Sequence, residues 1–155
     1  MIKTTYPELV QMKALIDRFV CGTLPAKEWT HEAHLTVGLW FVAHYGREEA
    51  SVQMPKLIKK HNDISGTENS DTSGYHETIT QFWIWQLDCY WQQVKQKMSI
   101  LNACNYLINS SFGDPSSFLK FYSKSLIFSL EARKENILPD IRPLDSRLIG
   151  DPGVM

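Results

Sequence analysis

Long apolar runs are missing from this chain. The longest, Val37 to Ala43 around Gly38, is far shorter than the roughly 20 residues a membrane helix needs, so no membrane partner is expected. The N-terminal Met-Ile-Lys-Thr-Thr-Tyr-Pro is polar and has no signal-peptide core. Cysteine is scarce: Cys21, Cys89 and Cys104 are odd in number and widely separated, and no Cys-x-x-Cys pair is there to hold zinc or run redox chemistry. Each lies in an apolar helical context, which predicts buried thiols in a reducing cytoplasm. An excess of charge is missing too. Sixteen Lys and Arg face 17 Asp and Glu, and the basic residues are scattered. The nearest thing to a cluster, Lys56, Lys59, Lys60 and His61, reads as the solvated side of a helix, so no nucleic-acid partner is expected.

What is present is a globular composition, 43% hydrophobic and 21% charged over 155 residues. That is the size of one ordinary domain with its own core. No segment alternates as a strand does, and six read as helices. The first runs from about Tyr6 to Cys21, with Pro7 in its first turn and Gly22 at its stop. Thr30 caps a second, apolar nearly all round, which ends near Tyr45 with Gly46 as the αL stop. A third, Arg47 to about Ile64, is bent by Pro55. The polar segment Ser65 to Gly74 is a surface loop, either functional or mobile. The fourth helix, about Tyr75 to Met98, carries Phe82, Trp83, Trp85, Tyr90 and Trp91. Ser99 caps a fifth, through about Ser110. Asp114-Pro115 opens a sixth segment, Ser116 to about Asn136, with a break near Ser123 to Ser125. The tail from Leu138 to Leu144 is extended, and Asp151 to Met155 frays. The expectation is one all-α domain over residues 1–155, a bundle of about six helices with its core at about 6–144.

Chemistry concentrates in two short motifs, Thr30-His-Glu-Ala-His34 and Gly74-Tyr-His-Glu-Thr78, which hold three of the five histidines. Imidazole and carboxylate bind transition metals and move protons near neutral pH. His31 and His34, three apart, share one helix face. This is not the zincin His-Glu-x-x-His, whose histidines sit four apart, and Glu28-Trp-Thr-His31 lacks the second Glu-x-x-His of a di-iron bundle. Both motifs open helices, where unpaired N–H groups disfavour imidazolium. With Ser73 or Gly74 as cap, His76 and Glu77 fall in the first turn, and Glu77 can bond back to the cap N–H.

Convergence of the two motifs would place His31, His34 and His76 around one divalent transition metal (Zn, Fe or Ni), with Glu77 as a fourth ligand or a general base. In that reading the chain is a small-molecule enzyme for hydrolysis or proton transfer. His76 and Glu77 are then catalytic, and Tyr75 and Arg133 orient the ligand. The same residues fit a non-catalytic module for a small acidic or aromatic ligand. They also fit a helical interaction protein whose histidines are structural. Two helix N-termini facing one space would suit an anion, with Arg133 or Arg142 adding a bidentate contact. A homodimer is compatible with any apolar stripe left on the surface. Gly38, one turn past His34, makes room for a neighbouring helix or a bound molecule.

Several blocks in order, Trp29-Thr-His-Glu-Ala-His-Leu35, Gly74-Tyr-His-Glu-Thr-Ile-Thr80, Tyr122-Ser123, Ala132-Arg133 and Pro139-Asp-Ile-Arg-Pro-Leu144, resemble a family of small bacterial all-α proteins with no assigned activity. The resemblance spans about Phe19 to Leu144. It implies that the histidine blocks belong together in a bacterial, cytoplasmic protein, and it supplies no substrate.

Overall fold

Caps and stops written into the sequence divide the chain into helices, and the computed structural model describes residues 4–145 of it. The expected fraying of Asp151 to Met155 lies outside that range. Helix α1 (Leu9–Cys21) starts later than Tyr6, because the Glu8 N–H is taken by the side chain of Gln11 at 2.7 Å. Tyr6 is instead buried and tied to the far side of the fold. Its N–H donates to Asn105 Oδ1 at 2.9 Å, and Asn105 Nδ2 donates to the Tyr6 carbonyl. Gly22 closes α1 at φ 79°, in the left-handed region that glycine enters without a Cβ clash. Cys21 is exposed at this helix end, so the expectation of three buried thiols holds only for Cys89 and Cys104. Burial pushes both of those up to about 11, which keeps them as unreactive thiols.

Helix α2 (His31–Ser65) begins at Thr30, whose hydroxyl accepts the Ala33 N–H at 3.2 Å. The break expected at Gly46 is there, with a different geometry. Its φ of 84° comes with a ψ of 163°, so it hinges the chain without a full stop, and the helix resumes at once. Pro55 sits within the second limb and has no N–H to give the Ser51 carbonyl one turn back. Gln81 Nε2 fills that vacancy, donating to Ser51 O at 3.1 Å and fastening α3 to this limb. The loop from Gly66 to Tyr75 is held in place. Asn69 Oδ1 accepts from Asn62 Nδ2 at 2.8 Å and from the Tyr75 N–H at 3.0 Å.

Helix α3 (Glu77–Val94) packs on α2, and the two come close at Gly38. A Cβ there would stand 2.5 Å from Leu87 Cδ1, so the room expected beside Gly38 is taken by α3. Both residues are buried. Gly38→Val should therefore lower unfolding free energy by about 1–3 kcal/mol, as overpacking does. A urea melt showing no loss would mean that the helices separate more easily than this contact allows.

Helix α4 (Ile100–Ile108) starts at Ser99, whose hydroxyl accepts the Asn102 N–H. The chain then fragments. Asp114 accepts the N–H and hydroxyl of Ser116 in a local turn, so Pro115 leads only into a 3₁₀ segment (Ser117–Lys120). The expected sixth helix is cut twice by serine caps: Ser123 opens α5 (Lys124–Ile127) and Ser129 opens α6 (Leu130–Lys134). The extended tail is pinned back. Asp140 accepts the Ser123 N–H at 2.8 Å and its hydroxyl at 2.6 Å, and the Ile141 N–H donates to Phe121 O. These contacts lower the Asp140 pKa.

Among the described residues there is no strand, and no helix is long and apolar enough to cross a membrane. One apolar cluster joins α1, α2, α4 and the far side of α3. A second, around Phe82, Trp85, Phe121, Tyr122 and Ile127, joins α3 to the short C-terminal helices. Trp83 packs against both, beside the site.

Candidate functional site

The first turn of α2, its distal limb, the loop before α3 and the first turns of α3 surround a half-open cavity of about 510 Å³. His31, His34, His61 and His76 all line it. Much of the rest is apolar or aromatic, with Trp29, Leu35, Ile58, Ile79 and Trp83 as examples. Among the described residues that line it, none is charged. The two sequence motifs do reach one space, and a histidine from outside both joins them.

Backbone carbonyls set the protons on all four rings. A carbonyl oxygen only accepts, so the ring nitrogen facing it carries the hydrogen. His31 Nε2 donates to Gly113 O at 2.6 Å, and His34 Nδ1 donates to Thr30 O at 2.6 Å. His61 Nε2 donates to Leu24 O and His76 Nε2 to Ile127 O, each at 2.7 Å. The second nitrogens then differ. His76 Nδ1 accepts the Ile79 N–H at 3.1 Å, so His76 is itself the N-cap of α3. His61 Nδ1 is buried without a hydrogen-bond partner. Among the described residues His31 Nδ1 and His34 Nε2 have no hydrogen-bond partner, and they are not sealed in as His61 Nδ1 is.

His34 is half-buried and packs on Trp29, ring centroids 3.9 Å apart, while Trp29 also stacks on Phe19 at 4.2 Å. Loss of hydration pushes the His34 pKa down to about 4, with His31 and His61 nearby adding to the effect. His34 lines the cavity, and the Trp29 ring against it takes the place of hydrating water. His76 is shifted in the same direction, first by burial, with Arg133 contributing.

Several expected roles change. Ser73 and Gly74 do not cap α3; His76 does, and both its nitrogens are thereby occupied. A ring with no lone pair to offer neither ligates a metal nor takes a proton from substrate. The expected three-nitrogen set of His31, His34 and His76 is not assembled: among the described residues, no three His, Cys, Asp or Glu side chains are grouped to hold a metal ion. Glu77 follows the cap by one residue, about 100° round the helix, and turns away. It lines a separate open groove with Lys56, Lys59, Arg133 and Lys134, and accepts a hydrogen bond from the Tyr75 hydroxyl, not from the cap N–H. Tyr75 lines both cavity and groove, its ring beneath Lys59 Nζ at 4.8 Å and its phenol pKa raised by burial and by Glu77. Arg133 donates to the Gly74 and Tyr75 carbonyls at 3.2 and 3.3 Å, fixing the loop wall.

His61 and Trp29 had no site role in the sequence reading. A signal for His61 existed: Met54, Leu57, Ile58 and His61 follow helical spacing, which puts His61 on the buried stripe of its limb. No family model, curated protein or solved structure matches this chain.

Proposed function

We propose that this protein binds a small, uncharged, largely apolar or aromatic molecule in the four-histidine cavity, without chemistry at the bound ligand. The observation that carries the reading is a half-open cavity of about 510 Å³ whose described lining has aromatic and aliphatic walls, imidazole, amide and hydroxyl groups and no charged side chain. That volume is within the range of small-molecule sites. An acidic ligand would find no Lys or Arg to offset its desolvation there, which favours the aromatic half of the binding-module reading. His34 is also a poor general base. An imidazole held near 4 accepts hydrogen bonds at neutral pH but holds an abstracted proton weakly.

The test is thermal unfolding against small neutral aromatics, with benzoate as the acidic comparison. A fitting ligand at a hundred times its Kd adds about 2.7 kcal/mol, or roughly 5–10 °C in Tm for a chain of this size. Ile79→Trp, which fills the cavity from its wall, should abolish the shift. A ligand that still shifts the filled variant by the same amount binds elsewhere and overturns the reading.

A further inference from the structure

The wall of this cavity is selective about hydrogen-bond direction. Gly113 O takes the proton side of His31 and Thr30 O takes the proton side of His34, through opposite ring nitrogens. With those nitrogens holding the hydrogens, Nδ1 of His31 and Nε2 of His34 are the acceptor positions, one turn apart on a single helix face. Among the described residues neither atom has a hydrogen-bond partner. The His34 ring is further fixed by its contact with Trp29, and the His31 ring by the edge of Trp83 at 5.2 Å. Two acceptor positions on a mostly apolar wall, with Asn62, Thr67, Tyr75 and Thr80 among its other polar groups, favour an occupant that donates a hydrogen bond.

Resting on the binding reading above, we propose that the ligand is an un-ionised phenol, an aromatic ring whose single O–H donates to His34 Nε2. The ring lies among Ile79, Trp83 and Leu35, where its apolar area leaves water. An ether or hydrocarbon of the same shape fills the same space but leaves His34 Nε2 unpaired, and a phenolate presents lone pairs and a charge to that nitrogen's lone pair. A site built to accept from a hydroxyl discriminates steeply against analogues that lack one.

Calorimetric titration with phenol, anisole, toluene and benzoate tests this on the intact chain. Phenol should bind about tenfold or more tighter than anisole or toluene, and benzoate should not bind. In His34→Leu the phenol affinity should fall to that of anisole while anisole is unchanged, a pattern that general unfolding of the site would not give. The ¹⁵N resonance of His34 Nε2 in the unmodified protein should move toward the hydrogen-bonded position with phenol and stay put with anisole, which needs no variant. Equal affinities for phenol and anisole with a static Nε2 resonance overturn this inference and leave the cavity reading standing. If none of the neutral probes binds, the cavity reading fails and this inference with it. Preferential binding of benzoate overturns both.

Discussion

His76→Ala should destabilise the fold by about 3 kcal/mol. Three connected losses add to that figure. The Ile79 N–H loses its cap acceptor, a change that costs about 0.5–2 kcal/mol. The Ile127 carbonyl loses its donor in a buried setting, where an unsatisfied acceptor costs about 1–3 kcal/mol. The vacated volume opens onto the cavity and softens its wall. The losses share one side chain and are not independent, which keeps the total near the middle of the summed range. Urea unfolding followed by far-UV circular dichroism measures it as a fall in midpoint at constant m-value. His76→Asn separates the parts: asparagine is a strong N-cap but too short to reach Ile127 O, so about 1 kcal/mol should return. A loss below about 0.5 kcal/mol for His76→Ala would mean the ring does not hold α3 to α5, and would free it for the catalytic role the sequence suggests.

Much of this architecture can be read from the residues themselves, because short-range chemistry decides it. Thr30, Ser99 and Ser123 lie where a hydroxyl reaches an N–H three residues on, and glycines at 22 and 46 lie where the backbone takes positive φ. The breaks inside Ser116 to Asn136 follow the same rule, since serines at 123 and 129 each start a helix anew. The His31 and His34 spacing needs no tertiary information to put both on one face. What the sequence leaves hidden is tertiary. Nothing local says that the Ile127 carbonyl will stand opposite His76, and histidine is an uncommon cap, so Ser73 and Gly74 are the natural but mistaken choices. Arg133 reads as a ligand clamp until the carbonyls of Gly74 and Tyr75 are seen in front of it. His61 reads as part of a basic face until its limb folds back past Gly46 and the Leu24 carbonyl meets its ring. Glu77 is different. Its separation from His76 follows from helix geometry alone, given the right cap.

Between pH 7 and pH 4 the protein should lose about 3 kcal/mol of stability through His34 alone. In the unfolded chain this imidazole titrates near its ordinary 6.5, whereas in the folded protein loss of hydration holds it near 4. Over that window the unfolded state binds a proton that the native state refuses, so unfolding free energy falls as pH falls. The contribution is complete above 6.5 and gone below about 4, and a shift of that size at about 1.4 kcal/mol per unit gives the figure. His76, lowered for the same first reason, adds in the same direction. The exposed carboxylates of Glu28, Asp114 and Asp140 have lowered pKa values through hydrogen bonds to Arg18, Ser116 and Ser123, so their contributions are lost at lower pH, below the ordinary carboxylate range. The two regimes separate experimentally. In His34→Leu, the difference in unfolding free energy between pH 7 and pH 4 should shrink by about 3 kcal/mol, while the steeper loss below pH 4 persists. An unchanged pH profile in that variant would mean that the native cavity lets His34 take up its proton as the unfolded chain does. The acceptor chemistry proposed for the site would then fail as the pH falls through about 6.5, because a doubly protonated ring offers no lone pair to a phenol.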